Sequence, residues 1–234
     1  MSATGSRPIW TPDGKRVTFQ KDGDLYSVPA DDSSAPQLLL AHDAPATSLF
    51  PLAWSRDGHF LAYSRPTPTT NRDVLILAGG GTPRPFLATP RDERAAMFSP
   101  DGQWMVYAAL EPGGEEEVYV QPHTERGERI VLSRGGGIEP VWSPTGTEIF
   151  YRSADGRSVM AVDIQTQPAV RVGTPHRLFQ GSFPTFAAEA EGFWSNYDVA
   201  PDGRRLLMVE ANEEPDSVLN VVINWMDEPT IRRP

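Results

Sequence analysis

The sequence predicts an all-β protein, a β-propeller of about five four-stranded blades whose last blade is incomplete. Two observations carry this prediction: one turn phrase recurs along the chain, and each recurrence is followed by a further apolar run of strand length. A third is the lack of helical periodicity of useful length. Only AAEAEGF, within residues 187 to 193, has the composition of a helical turn.

The turn phrase is clearest at residues 99 to 102, where Ser, Pro, Asp and Gly follow in the order that a type I turn prefers. Related phrases, TPDG and SPTG, occur on either side of it. Between two apolar runs such a turn predicts a β-hairpin, and its repetition predicts one structural unit per interval. The turn glycines stand 44, 44, 44 and 57 residues apart, at Gly14, Gly58, Gly102, Gly146 and Gly203.

Apolar residues flank each turn at fixed distances. Four residues before the glycine stand Trp10, Trp54, Phe98, Trp142 and Val199. Three residues after it stand Val17, Leu61, Met105, Ile149 and Leu206, followed two positions later by Phe19, Tyr63, Tyr107, Tyr151 and Met208. This alternation predicts a strand with one face against a neighbouring sheet. We expect Trp10, Trp54, Phe98 and Trp142 to be equivalent by rotation and buried between sheets.

Most units contain two further apolar segments of strand length. The third strand is predicted at DLYSV, DVLIL, EVYVQ, SVMAV and SVLNVVINW, and a weaker fourth at PQLLL, RPFLA, RIVLS and HRLFQ. Four strands in about 44 residues are typical of a propeller blade. The single predicted domain, residues 1–234, therefore divides into blades at about 8–47, 48–91, 92–135, 136–181 and 193–231.

The last interval is longer than the others by 13 residues, which indicates an inserted loop at residues 180–195. Its four aromatic residues predict that it packs over the channel face. After it, the run at 218–225 is expected to pair within blade five and to leave its outer edge incompletely covered, because no full fourth run follows. The expected state is a monomer or an edge-paired homodimer.

Composition and charge exclude several classes of partner and of chemical site. The net charge of −10, without a basic cluster, argues against nucleic acid. The chain has no cysteine, so neither a disulfide nor a thiolate site is available. It begins without a basic and apolar leader and contains no membrane-span-length apolar run. A soluble protein is expected, cytoplasmic as written or extracytoplasmic if it is a detached sensor domain.

The repeated units resemble the TolB-type propeller repeat. In addition, GGGIEPVWSPTGTEIFYRS, NYDVAPDGRRLLMVE and LNVVINWMDE are similar to the carboxy-terminal propeller of bacterial serine/threonine kinases. The resemblance implies a sensing or protein-binding role, and in such relatives the domain commonly lies outside the membrane. The relatives more often have six blades, whereas this chain shows five intervals. No kinase motif is present in the sequence.

Function is expected at the mouth of the central channel, where the loops ahead of the first strands meet. The repeat supplies the scaffold, so the residues that differ between blades are the candidates for chemistry. The predicted ligand-binding residues are Arg7, Phe50, Arg94, Glu139, Trp194 and Asn196.

Three carboxylates at the same face, Asp92, Glu93 and Glu139, are candidate catalytic residues, since two acids at a suitable separation can cleave glycosides. The turn residues Asp13, Asp57, Asp101 and Asp202 are interpreted as structural, because turn aspartates bond their own backbone. No cofactor and no metal are expected, since no HxxxH or HxH spacing joins the histidines, which are His42, His59, His123 and His176.

Two classes of function follow. The first is a ligand- or protein-binding sensor or scaffold module that recognises a peptide, a protein or a small molecule at the channel mouth, and it is favoured because no compact catalytic motif occurs. The alternative is a hydrolase, glycosidase- or esterase-like, in which the three carboxylates act as acid and base and Arg94 orients an anion. A Ser hydrolase lacks its usual Gly-x-Ser-x-Gly elbow.

Overall fold

A computed structural model describes residues 4–43, 47–111, 113–124, 127–184, 195–210 and 218–223. Within these ranges every regular element is a β-strand, which confirms the predicted all-β class. No helix in the described ranges is long and apolar enough to cross a membrane. We call the groups of strands that follow the sequence intervals units 1 to 5.

Each unit is an up-and-down run of antiparallel strands. Units 1 and 2 contain β1 (Ser6–Trp10), β2 (Arg16–Lys21), β3 (Asp24–Pro29), β4 (Gln37–Leu40), β5 (Phe50–Trp54), β6 (Phe60–Thr67), β7 (Asn71–Ala78) and β8 (Arg84–Leu87). Units 3 and 4 contain β9 (Asp92–Phe98), β10 (Trp104–Leu110), β11 (Glu116–Pro122), β12 (Ile130–Val131), β13 (Ile138–Trp142), β14 (Glu148–Arg152), β15 (Ser158–Gln165), β16 (Arg171–Val172) and β17 (His176–Gln180). Unit 5 contains β18 (Tyr197–Val199), β19 (Arg205–Glu210) and β20 (Val218–Ile223).

The units are separate sheets with one exception. A short parallel pairing of Arg72 in β7 with Asp92 in β9 joins units 2 and 3 into an eight-stranded sheet. In unit 4, β16 and β17 both pair with β15, so this unit has five strands instead of the predicted four. The number of blades and their boundaries stay predictions.

The recurring phrase forms the predicted turns. At the third one the amide of Gly102 donates to the carbonyl of Ser99 at 2.8 Å, and Gly102 has a φ of +68°, a left-handed value that favours glycine. The Asp101 side chain accepts hydrogen bonds from the Ser99 hydroxyl and from the amide of Gln103. Asp13, Asp57 and Asp202 accept the equivalent backbone bonds, which confirms their structural role.

The core lies between consecutive units. The first strand of each unit contacts that of the next, from β1 through β5, β9 and β13 to β18. An apolar cluster fills each of these four boundaries, so burial between sheets holds the arrangement together. Representative members are Leu25 with Leu61, Val74 with Phe98, Val120 with Trp142, and Phe150 with Leu206.

The predicted burial of the four aromatic residues holds for the later units and is wrong for the first. Phe98 and Trp142 are buried and Trp54 is partly buried, but Trp10 is 62% exposed. Trp54, Phe98 and Trp142 each pack on the unit that precedes their own, and no apolar cluster in the described ranges joins unit 5 to unit 1. Trp10 therefore lacks the sheet that covers its equivalents.

The last described strand, β20, shows the pairing that the sequence predicts for the run at 218–225. The backbone of β20 pairs with β19 from Val218 opposite Glu210 to Ile223 opposite Arg205, as expected for unit 5. Residues 224 and 225, with which the predicted strand ends, lie outside the described ranges. The same holds for residues 185–194 of the predicted inserted loop. In the described part, Phe183 packs against Phe179 with ring centres 6.0 Å apart.

The indole nitrogens of two equivalent tryptophans have different surroundings. Trp54 Nε1 donates to Thr18 Oγ1 of unit 1 at 3.0 Å. Trp142 Nε1 is buried and has no hydrogen-bond partner in the described structure, because Val106 occupies the position in unit 3 that Thr18 occupies in unit 1.

Thr18→Val removes the acceptor for Trp54 Nε1, and we expect it to lower the free energy of unfolding by about 1 kcal/mol. Val106→Thr offers Trp142 Nε1 the missing acceptor for its hydrogen bond. We therefore expect this variant to have nearly the same free energy of unfolding as the parent chain. Val74→Thr is the matched control, because this buried position faces Phe98 instead of an indole; it should cost about 1–3 kcal/mol. Urea unfolding of the three variants is the measurement, and equal losses for Val106→Thr and Val74→Thr would contradict the interpretation.

Candidate functional site

The first strands of the units share an irregularity near the mouth of the channel. In units 1 to 4 the pairing of the first strand with the second shifts register at the same place. At this place Arg7, Ala95 and Glu139, each three residues before the aromatic position, have left-handed φ values of 62°, 49° and 53°. Bulges of this kind redirect side chains and are frequent next to binding sites. The repeat pattern did not predict them.

The first strands surround a cavity of about 690 Å³. Its lining comes from all five units and is mainly apolar, with several prolines. Representative lining residues are Ile9, Trp10, Leu52, Trp54, Met97 and Val141. The charged side chains of the lining are Arg7, Arg56 and Asp198. A cavity of this size and composition is typical of a site for a small molecule or a short peptide.

Those predicted site residues that lie in the described ranges stand beside this cavity, and among them only Arg7 contributes to its lining. The lining uses instead their chain neighbours, Pro51, Ala95, Pro140 and Ser195. Successive side chains of a strand point to opposite faces, and the bulge shifts this alternation by one position. As a result, the predicted residues contact neighbouring strands and units.

Arg7 and Phe50 are brought together between units 1 and 2. The Arg7 guanidinium carbon lies 3.9 Å from the centre of the Phe50 ring, a cation–π contact. It joins the starts of β1 and β5 at the channel mouth.

Asp92 forms an ion-pair cluster between units 2 and 3. Arg72 Nη1 donates to its two carboxylate oxygens at 3.0 and 2.8 Å, and Arg94 donates to Oδ2 through Nη2 at 2.5 Å and Nε at 3.0 Å. Arg94 also approaches Glu116 Oε2 at 3.7 Å, and burial raises the pKa of Glu116 to about 7. Arg72 and Glu116 were not predicted from the sequence.

Glu93 was predicted at the mouth and is found in the interior. It is 1% exposed and occupies the position that Leu49 has in unit 2. One oxygen accepts a bond from the Thr89 hydroxyl, while Oε2 has no partner in the described structure. Burial raises the pKa of Glu93 to about 7, and the charge of Asp73 adds to this effect.

Glu139 and Asn196 come together on a buried arginine between units 4 and 5. Arg152 Nη1 lies 3.3 Å from Glu139 Oε2 and 3.1 Å from Asn196 Oδ1, and it donates to the carbonyl of Pro184 at 2.7 Å. Burial raises the pKa of Glu139, and Arg152 opposes that shift. A signal for Arg152 was present in the sequence, since the equivalent residues of units 2 and 3 are Ser64 and Ala108.

The three candidate catalytic carboxyls are therefore placed in three different settings, and none lines the cavity. Asp92 is neutralised by two arginines, Glu93 is buried, and Glu139 is held by Arg152. Trp194, predicted at the same mouth, lies outside the described ranges.

The histidines occupy separate places in the described structure. His123 is buried between the rings of Phe60 and Phe98, and its burial lowers its pKa. His42 Nδ1 lies 2.6 Å from Asp24 Oδ1. Among the described residues no group of three or more His, Asp or Glu side chains is arranged to hold a metal ion.

No family model and no curated protein matches the chain. Among solved structures, a protein described as TolB from Agrobacterium tumefaciens is 19% identical over 95% of this chain and 78% of its own, with a TM-score of 0.70. TolB from Acinetobacter baumannii is 19% identical over 93% of this chain and 49% of its own, with a TM-score of 0.62. An oligogalacturonate lyase from Vibrio parahaemolyticus is 11% identical over 97% of this chain and 65% of its own, with a TM-score of 0.65.

At these identities the likeness concerns the fold. The chain has a β-propeller fold similar to that of TolB, which confirms the predicted class and the resemblance to TolB-type repeats. The chain spans less than two thirds of the second and third of these structures. The resemblance to the propellers of serine/threonine kinases stays a prediction.

The buried Glu93 should make stability depend on pH. Its pKa is raised from 4.5 to about 7, so the folded chain holds this proton more tightly than the unfolded chain. The stability that the neutral Glu93 carboxyl contributes is fully present below about pH 4.5 and is lost as the pH rises through about 7. Glu93→Gln should therefore gain stability relative to the parent chain over this range, by about 1–3 kcal/mol.

Chemical unfolding at a series of pH values measures this difference. Glu115→Gln removes one exposed carboxyl and controls for the loss of a charge. A difference between Glu93→Gln and the parent chain that stays constant from pH 4.5 to 8 would show that Glu93 is not a buried acid in solution.

Proposed function

We propose that the protein is a ligand- or protein-binding module that receives its ligand in the central cavity through the channel mouth. The observation that carries this proposal is the cavity of about 690 Å³, to which the first strand of every unit contributes. A site assembled from five units is shaped by the whole ring, so it is set by the fold instead of by one mobile loop.

The surroundings of the mouth support a pre-organised site. The contacts of Arg7 with Phe50, of Asp92 with two arginines, and of Glu139 with Arg152 each tie the beginning of a first strand to another strand of the same or a neighbouring unit. Contacts of this kind hold the strand starts in place before a ligand arrives. Such rigidity lowers the entropic cost of binding.

The lining indicates the chemistry of the ligand. Most of the cavity wall is aliphatic, aromatic or proline, and its charged side chains are Arg7, Arg56 and Asp198. Arg7 lies at the start and Arg56 beyond the end of a first strand, so cationic groups occur toward both ends of the cavity. We infer an elongated, mainly apolar ligand with polar or anionic ends, such as an extended peptide segment. The kinase resemblance supports a sensing role for this binding.

The proposal predicts that filling the cavity abolishes binding. Ala53 lines the cavity, and Ala53→Trp places a large ring inside it. Val131→Trp is the control, because Val131 is exposed on the outer strand β12 and is not a lining residue. Peptides selected from a displayed random library on the parent protein should lose affinity about tenfold or more for Ala53→Trp, equivalent to about 1.4 kcal/mol.

Isothermal titration with the selected peptides gives the affinities, and circular dichroism checks that both variants fold. Peptides that bind Ala53→Trp as well as they bind Val131→Trp would place recognition elsewhere on the protein. A selection that enriches no peptide above background would count against peptide recognition in the cavity.

A further inference from the structure

Arg152, at the end of β14, is a fully buried arginine at the boundary between units 4 and 5. Its Nη1 lies 3.3 Å from Glu139 Oε2 and 3.1 Å from Asn196 Oδ1. The guanidinium also donates to three main-chain carbonyls, which are those of Gly156, Phe183 and Pro184. One side chain therefore connects the start of the first strand of unit 4, the chain after β17 and the residue ahead of β18.

The repeat does not require this arginine. The pairing of second strands with first strands gives its equivalents in units 1 to 3, which are Gln20, Ser64 and Ala108. A buried guanidinium loses its hydration, so a buried ion pair adds little net stability. The apolar cluster that includes Val141, Phe150 and Leu206 already packs unit 4 against unit 5. Joining the two sheets does not account for Arg152.

Three residues that line the cavity adjoin the side-chain partners of this arginine. Pro140 follows Glu139, and Asn196 lies between Ser195 and Tyr197. The hydroxyl groups of the two unit 5 residues donate across the boundary to main-chain carbonyls of unit 4, that of Tyr197 at 2.9 Å and that of Ser195 at 3.4 Å. We call Pro140, Ser195 and Tyr197 the 4–5 wall of the cavity.

The conformation of Glu139 makes this wall depend on Arg152. Glu139 has a left-handed φ of 53° at the bulge of β13, a value that a residue other than glycine keeps only when its surroundings hold it there. Its carboxylate accepts the bond from Arg152 and, at 3.4 Å, a bond from the amide of Asn196. Loss of Arg152 would free Glu139 and Asn196 together, and with them both sides of the 4–5 wall.

We propose that Arg152 is a positioning residue for ligand binding, which acts through Glu139 and Asn196 to hold the 4–5 wall in the shape that the ligand contacts. The inference rests on the proposed function, since it concerns the same cavity. Arg152 does not line the cavity itself, so its effect on the ligand is indirect. The planar fork of an arginine suits this role, because it sets the directions of several hydrogen bonds at once.

Hydrogen exchange of the free protein gives the first test. In Arg152→Met the amides within residues 138–141 and 195–199 should exchange about tenfold faster than in the parent chain, because the bonds that hold these segments are lost. The amides of β15 and β19 should keep their rates. Unchanged rates in the two segments would overturn the proposal, and so would faster exchange throughout units 4 and 5, which would make the role of Arg152 purely structural.

The affinity for peptides selected on the parent protein gives the second test. Arg152→Met leaves the Glu139 carboxylate without its cation, and since Arg152 opposes the rise in pKa that burial causes, the pKa of Glu139 should rise further. Below that pKa the carboxyl is neutral and can stay in place, whereas above it the buried charge is expelled. Relative to the parent chain, affinity should fall about tenfold or more at about pH 8.5 and about threefold or less at about pH 5.5.

Matched variants isolate the contribution of Glu139. Besides Arg152, two titratable groups face it, Glu116 of β11 and Tyr197 of β18. Both are present in every variant, so each affinity is compared with that of the parent chain at the same pH. Glu139→Gln added to Arg152→Met removes the titrating group and should make the loss independent of pH. Arg205→Met removes an exposed arginine of unit 5, controls for the lost charge, and should bind as the parent chain does.

The outcomes separate this inference from the proposed function. A loss of affinity by the same factor at both pH values in Arg152→Met would show a general structural effect and would overturn the positioning role. Unchanged affinity in Arg152→Met, for peptides that Ala53→Trp no longer binds, would also overturn it and leave the cavity as the binding site. If no peptide binds the parent chain, the proposed function fails, and hydrogen exchange alone decides whether Arg152 holds the wall.

A second variant keeps the inference testable if Arg152→Met does not fold. Arg152→Lys keeps a cation beside Glu139 but lacks the planar fork, so affinity should fall about threefold or more without the dependence on pH. The same segments, 138–141 and 195–199, should exchange faster than in the parent chain. Affinity and exchange equal to those of the parent chain would overturn the inference.

Discussion

The packing of an apolar side chain from the first strand of units 2 to 5 onto the sheet of the preceding unit is the constraint on which the rest of the structure depends. A sheet with two apolar faces can bury both only between two neighbours, so units 2, 3 and 4 share their cores with the units on either side. Trp142 on unit 3 and Phe98 on unit 2 show this contact in full. Trp10 shows what happens without it, since its side chain is left largely in solvent.

Charged groups near the mouth supplement this packing at the unit boundaries. Asp92 connects units 2 and 3 through Arg72, and Arg152 connects units 4 and 5 through Asn196. A buried ion pair contributes little net stability by itself, but the loss of one partner leaves an uncompensated charge. These charged residues are not part of the repeat, and each boundary between units has a different set of them. Their contacts hold the beginnings of the first strands in place around the cavity.

The cavity and the exposed side of unit 1 meet at one residue. Trp10 lines the cavity and is 62% exposed, whereas its equivalent Trp142 lines the same cavity and is buried. The cavity wall therefore combines residues of the packed core with one residue that no neighbouring sheet in the described structure covers.

The sequence by itself determined the propeller class, the turns and the strand order, because these depend on local turn chemistry and on the alternation of side chains, as at Asp101 and Gly102. It also located the residues ahead of the first strands. Only the tertiary structure decided where those side chains point, because the bulges shift the alternation of side chains along the first strands. The partners of Glu93 and Arg152 also could not be predicted from the spacing of residues in the sequence. It also decided that Trp10 is exposed, since a repeat pattern marks equivalent positions but cannot show whether another sheet covers them.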